Sequence, residues 1–171
     1  MTLSDWSALA GILSGVGVVV SVVYLALQVR QAEKSQRALM QQGRATRASQ
    51  AAFTLAQPDL AGLYFKGART PKELSPEEID RFMMLSRAAL LSAEDSVLHY
   101  QAGLLSEQSY RAFAAGVYAL VGRSAGLRAA WRLTAQNYSP ALGALMEDAM
   151  RNAKPQGAAE FQAMWLKACE E

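Results

Sequence analysis

The 171-residue sequence predicts an all-α protein in which one N-terminal transmembrane helix continues into a cytoplasmic helical bundle. Three observations carry that expectation. Residues 6–29, WSALAGILSGVGVVVSVVYLALQV, contain no charged side chain. Beyond them apolar residues recur at three-and-four spacing and no run alternates at period two, so no strand is expected. The pairs Ser75-Pro76 and Ser139-Pro140 have the form of helix starts, a hydroxyl cap followed by proline at the first helical position.

The apolar run comes first. At 1.5 Å per residue a helix over 6–29 is about 36 Å long, against a hydrocarbon core of about 30 Å. It is apolar on every side, which argues against a helix lying flat in the interface. Met1 to Asp5 holds one acid and no base, and the basic residues follow the run as Arg30, Lys34, Arg37, Arg44 and Arg47. A secretory signal peptide has the reverse order, so a retained span is expected. The positive-inside rule then puts the N-terminus outside and the C-terminal domain in the cytoplasm. Trp6 and Tyr24 are the interfacial aromatics. Arg30, Lys34 and Arg37 are expected at the membrane surface, where an anionic headgroup is worth about 1 kcal/mol to each. Arg44 and Arg47 lie roughly 20 Å further along, beyond a Debye length, and read as a solvated face.

Within the span Ser7, Ser14, Ser21 and Gln28 are seven apart, almost two full turns, and so form one slowly drifting stripe. Ala10, Gly11, Gly17 and Val18 fall on the same side, while Ile12, Val16, Val19, Val20, Val23 and Leu27 fall largely opposite. Small and hydroxyl residues on one face with branched aliphatics on the other suit a helix that packs on a neighbour and shows its back to lipid. Ser7, Gly11, Ser14, Gly17, Val18, Ser21 and Gln28 are the expected helix–helix interface. The partners this implies are membrane lipids, copies of the chain, or the subunits of another membrane protein.

Residues 30–57 contain one glycine, Gly43, and no proline. Gln, Ala, Arg, Leu, Met and Glu dominate, all strong helix formers, so a helical stalk is expected to lead into the domain, with Gly43 as the place for a bend. Glu33 and Arg37 stand four apart in the favourable order for an ion pair. Residues 58–171 form the cytoplasmic domain. A short helix is expected over 60–65, then a turn-rich link from Lys66 to Pro71. Ser75-Pro76-Glu77-Glu78 is a full capping box and starts a helix to about Ala102, stopped by Gly103. Its core stripe reads Ile79, Phe82, Met83, Leu90, Ala93, Val97 and Tyr100, widened by Leu85, Leu91 and Leu98. Ser106 opens a helix to about Leu120 with Tyr110, Phe113, Ala114, Val117 and Val121 inward. A break is expected over 122–126, then a short helix over 127–137 carrying Trp131. The helix from Pro140 turns Leu142, Leu145, Met146 and Ala149 inward. After the turn at Lys154-Pro155-Gln156-Gly157, Phe161, Met164, Trp165 and Ala168 make an amphipathic tail.

Several blocks taken together resemble a known layout. They are the span ending Tyr24-Leu25-Ala26-Leu27-Gln28-Val29-Arg30-Gln31, then Pro58-Asp59-Leu60 with Gly67, then Leu74-Ser75-Pro76-Glu77-Glu78 leading to Arg81-Phe82. Glu94, Tyr100-Gln101, Gly103-Leu104-Leu105 and Trp131 follow. To about residue 150 the chain resembles a family of uncharacterised small bacterial membrane proteins with one N-terminal span and a helical cytoplasmic domain. The resemblance implies a bacterial inner-membrane location. It implies no activity, cofactor or catalytic residue.

Charge and side-chain chemistry narrow the function classes. Residues 1–57 carry five basic and two acidic side chains, a net of +3; residues 58–171 carry twelve and thirteen, a net of −1. A basic excess confined to the segment after the span suits a membrane surface and argues against a nucleic-acid-binding domain. One cysteine, Cys169, and one histidine, His99, exclude an internal disulfide and a zinc site without carboxylates. No phosphate loop, H-E-x-x-H or G-x-S-x-G motif occurs, and no cofactor is expected. Cys169 has no base beside it and Glu170 and Glu171 after it, a poor setting for a nucleophile. The one polar cluster is on the helix after Ser75. Asp95 and His99 are four apart, and Arg87, Glu94 and Gln101 form a seven-spaced polar line. The expected function is a membrane-anchored helical interaction protein that self-assembles or serves as an accessory or scaffold subunit of a membrane complex. The alternatives are a membrane-proximal sensor or binding module for an apolar, lipid-like ligand, and an enzyme using Glu94, Asp95 and His99.

Overall fold

The computed structural model describes residues 3–154 and 156–170; the side chains of residues 3–10, 12 and 13 lie outside the description. Every regular element among the described residues is a helix. The chain divides into two compact units, Met1–Ser49 and Gln50–Glu171.

The first unit consists of α1, which spans Leu3–Leu55 and has its last turns in the second unit. The helix runs through Gly43 without a break. Glu33 and Arg37 do not close the expected ion pair; two exposed side chains on a solvated helix gain too little from one to be held in it. Leu39 and Phe53 are exposed.

The second unit holds the core. Four helices share it: α3 (Pro76–Gln101), α4 (Glu107–Arg123), α5 (Ala125–Thr134) and α6 (Pro140–Asn152). Leu90 and Val97 of α3 meet Val117 and Val121 of α4, Leu127 and Trp131 of α5, and Leu142, Leu145, Met146 and Ala149 of α6. The four residues expected to face inward from α6 are all buried. In α3 the buried line is Phe82, Ser86, Leu90, Ser96 and Val97, whereas Ile79, Leu91 and Leu98 are exposed. The stripe is thus narrower than expected and includes serines. Ser96 escapes the cost of burial by donating to the Ser92 carbonyl at 3.0 Å.

The helix starts follow their caps. Ser75 accepts from the Glu78 amide at 3.2 Å and Glu78 accepts from the Ser75 amide at 2.8 Å, the complete capping box. Ser106, Ser124 and Ser139 cap α4, α5 and α6 by accepting from the Ser109, Leu127 and Leu142 amides, without the reciprocal bond. At the far end of α3 Gly103 takes φ +69, its amide bonds the Tyr100 carbonyl at 3.0 Å and the Leu104 amide bonds His99 at 2.9 Å. This is a Schellman stop, and it needs a left-handed residue.

Two stretches differ from expectation. The helix expected over 60–65 is α2, Pro58–Arg69, and it continues through Gly67 and Ala68; the turn comes only at Thr70, followed by a 3-10 turn at Pro71–Glu73. The break expected over 122–126 shrinks to Ser124, because α4 runs to Arg123 and α5 begins at Ala125. In both places glycine permits a close approach instead of a turn. Gly67 and Gly126 are buried inside helices, and a Cβ on either would run into the Phe82 ring; on Gly126 it would sit 2.7 Å from Phe82 Cε1 and also strike the Gly67 carbonyl oxygen. Phe82 is therefore gripped between two backbones, with α2 laid across α3 and α5. A salt bridge from Lys66 Nζ to Glu78 at 2.6 Å ties α2 to the start of α3. Gly122 is buried likewise, and a Cβ there would lie 2.6 Å from the Lys154 carbonyl oxygen. The tail α7 (Ala158–Ala168) is a helix as expected, but none of it is buried.

Replacing Gly126 with Ala should cost about 1–3 kcal/mol through overpacking, although alanine is the better helix former. The same change at Gly62 or Gly143, where a Cβ meets nothing, should be neutral or stabilise by up to about 1 kcal/mol. Thermal unfolding of the full chain and its variants measures both, and Phe82→Leu should lessen the Gly126→Ala penalty. The Lys66 bond first, then the Ser75 amide, hold the Glu78 carboxyl below its ordinary value of 4.5. A carboxyl lowered by folding stabilises above its unfolded value and loses that contribution as pH falls through the folded one. The Glu78→Gln variant should therefore lose less stability than the parent on acidification below pH 4.5, measured as Tm against pH.

Candidate functional site

The expected interface lies on α1. From Val16 to Val29 the large apolar side chains keep 51–62% of their surface accessible. Fully burying a valine or leucine is worth about 1.5–3 kcal/mol, so such a set in water would forfeit on the order of 10 kcal/mol or more. The helix is long and apolar enough to cross a membrane. One face carries a shallow groove lined by Ser14, Gly17, Val18, Ser21, Val22 and Leu25. Four of these belong to the expected interface; Val22 and Leu25 form a wall that periodicity had not placed there. Gly11 and Gln28 are exposed on the same helix. The Ser7 side chain lies outside the described residues. The groove floor is low because Gly17 has no Cβ and nothing stands within 4 Å of where one would be. Ser21 donates to the Gly17 carbonyl at 2.8 Å, so its hydroxyl needs no further partner in hydrocarbon. Arg30, which follows Val29 directly, and Lys34 and Arg37, one turn and two turns on, are exposed.

The polar cluster on α3 separates into parts with different roles. Glu94 Oε1 accepts from the Ser139 amide at 2.5 Å. Ser139 is the N-cap of α6, so Glu94 reaches from one helix to bring a carboxylate to the positive end of another. Asp95 Oδ2 stands 3.4 Å from His99 Nδ1, within ion-pair reach but not aligned for a hydrogen bond. His99 occupies the last turn of α3, and its carbonyl accepts from Leu104 and Leu105 at the Schellman stop. Arg87 is exposed and bonds none of Glu94, Asp95 or His99; it lines a separate cleft with Asp80 and Tyr138. Among the described residues no three His, Cys, Asp or Glu side chains converge as a metal site. Glu94 thus caps the start of α6, Asp95 and His99 stay within ion-pair reach, and Arg87 stands apart from them.

No family model, no curated protein and no solved structure matches the chain. Chemistry and geometry alone therefore carry the functional assignment.

One feature of the second unit escaped sequence reasoning. Arg69, Arg123 and Arg128 line one cleft of about 580 Å³, together with the rings of Tyr64, Phe65 and Phe161. The three arginines come from α2, α4 and α5, and nothing in their spacing announces that they meet. The misplaced helix ends at Gly67 and Gly122 hid the junction.

Glu94→Ala should destabilise the fold by about 0.5–2 kcal/mol, the usual cost of a lost N-cap partner, and Glu94→Gln by less because its amide oxygen still accepts. Urea unfolding monitored through Trp131, which is buried beside α6, reads the difference. An equal and larger loss of any activity in both variants, with stability unchanged, would contradict the capping role.

Proposed function

We propose that this chain is a single-span protein of the bacterial cytoplasmic membrane that works by assembly, either with copies of itself or as an accessory subunit bound to the span of another membrane protein. The N-terminus is outside and the helical unit is in the cytoplasm. The observation that carries the reading is the grooved face of α1, lined by Ser14, Gly17, Val18 and Ser21 on a helix whose remaining apolar surface is uncovered.

The physics favours a helix partner over lipid alone. In hydrocarbon no hydrophobic drive holds two helices together, and association comes from close packing and backbone contact. A groove floored by glycine and serine lets a second backbone approach, and Val18, Val22 and Leu25 supply the walls against which it packs. The opposite face, with Val16, Val19, Val20 and Val23, offers lipid a continuous aliphatic surface. Arg30, Lys34 and Arg37 then lie at the cytoplasmic headgroups and set the orientation. Residues 30–49 continue α1 for about 30 Å as helix. Glu94 and His99 take no part in chemistry in this reading.

Purification in a mild detergent followed by mass measurement tests it. The expected outcome is a defined oligomer or a stoichiometric second subunit. Ser14→Leu and Gly17→Leu should dissociate it, while Val16→Leu and Val20→Leu on the other face should not. A monomer in every mild detergent, or an assembly indifferent to Gly17→Leu, would sink the proposal.

A further inference from the structure

We infer that the cleft between α2, α4, α5 and α7 binds the phosphate group of a ligand whose apolar part lies along the aromatic rings of the same cleft. The inference does not depend on assembly through α1. It turns the expected apolar, lipid-like ligand into one that carries charge.

Arg69, Arg123 and Arg128 all line the cleft, and among the described residues no acidic side chain does. None of the three arginines forms a salt bridge among the described residues. Each is nevertheless held. The Arg69 guanidinium lies 5.0 Å over the Phe65 ring, and that of Arg123 lies 4.8 Å over the Phe161 ring. Stacking occupies the flat face of a guanidinium and leaves its N–H edge free to bond. Arg123 also donates from Nε to the Ala119 carbonyl at 3.3 Å. Arg128 spends Nη1 on the Val121 and Gly122 carbonyls at the end of α4, which leaves donors on Nε and Nη2. The forks are thus oriented before any ligand arrives, and little side-chain entropy remains to be lost on binding.

Donor count selects the anion. A carboxylate has two oxygens and is satisfied by one guanidinium fork. Three forks call for a tetrahedral oxyanion with three or more acceptor oxygens and about two charges at neutral pH. Two helices also begin at the cleft. Ala125 opens α5 and Ala158 opens α7, and α7 has no side chain capping its first amides. Their positive ends add to the guanidinium field. The rings select what the phosphate is attached to. Tyr64, Phe65 and Phe161 form an aromatic wall, and the volume suits a small molecule or a lipid head with the first part of its chain. Burial raises the Tyr64 hydroxyl pKa, an effect that Arg123 opposes, so the phenol stays neutral beside an anion. A nucleic acid does not fit, because the basic groups are gathered in one pocket and residues 58–171 carry net negative charge.

Calorimetric titration of the full chain in an uncharged detergent tests the inference with three probes: inorganic phosphate, phenyl phosphate and dihexanoyl phosphatidic acid. Phenyl phosphate and the phosphatidic acid should bind more tightly than inorganic phosphate. Arg69→Gln with Arg123→Gln should weaken both by about 10- to 100-fold, the usual worth of one to two charge-assisted bonds. Arg132→Gln, an exposed cation outside the cleft, should change nothing. Phe161→Ala should abolish the preference for the phenyl ester and, because it removes the ring under Arg123, weaken inorganic phosphate by only a few-fold. Tighter binding of phosphatidic acid than of phenyl phosphate identifies a lipid headgroup as the source, and the reverse a soluble phosphate ester. No binding of any probe at millimolar concentration, equal affinity in the double variant, or equal loss in Arg132→Gln overturns the inference.

Discussion

The second unit is arranged around a contact that has no side chain on one side of it. Phe82 of α3 lies against the bare backbones of Gly67 and Gly126, and α2 and α5 approach each other so closely there that a Cβ on Gly126 would strike the Gly67 carbonyl. Packing of this kind is not adjustable, since protein interiors are as dense as organic crystals and a single added carbon must displace something. The rest of the junction follows from it. Lys66 precedes Gly67 and is thereby brought to Glu78. Ala68 and Arg69 follow Gly67, and Ser124 and Ala125 precede Gly126, so the residues next to the contact become walls of the arginine cleft. The four-helix core beside it is an ordinary aliphatic one, and the cleft is the edge at which that core meets α2.

The same contact explains which parts of the fold were legible in the sequence. Helix starts were, because a serine cap and a proline act within four residues, and Ser75, Ser106 and Ser139 all cap where their neighbours say they should. The inward face of α6 was legible too, since it is buried on one side only. Gly67, Gly122 and Gly126 were misread as turns. A glycine that allows a positive φ and a glycine that allows a close approach look identical in sequence; Gly103 is the first kind and these three are the second. Telling them apart requires the partner, and Phe82 is distant from both Gly67 and Gly126 in the chain. Ser86 and Ser96 were missed in the same way, because their burial depends on which helices cross α3 and not on their own polarity. The α1 stripe was legible from a seven-residue spacing, but its walls at Val22 and Leu25 come from the helix surface itself.

The two units meet water on opposite terms. The second buries Leu142, Met146, Val121 and Ala149 almost completely and leaves charge outside. The first has no core to offer, and its apolar residues stay uncovered along the whole of 14–29. The helix is long and apolar enough to cross a membrane, where its backbone bonds would all be satisfied internally. Its internal polarity is managed the same way, as when Ser21 bonds back to Gly17. The groove lined by Ser14, Gly17, Val18 and Ser21 is the face on which the proposed partner would pack.

The arginine cleft presents a different case, in which cations gather at the edge of a packed core. Residues 58–171 hold thirteen carboxylates, more than enough to neutralise three guanidinium groups, and none of those among the described residues lines the cleft. Elsewhere it does pair its charges: Lys66 with Glu78, Arg111 with Glu107, Arg151 with Asp148. Like charges lining one cleft repel one another, and the aromatic faces under Arg69 and Arg123 hold two of these cations in place. A carboxylate from the chain would relieve the repulsion permanently and close the cleft. On the reading proposed above, an anion from outside supplies that relief, and its binding free energy then includes the repulsion it removes.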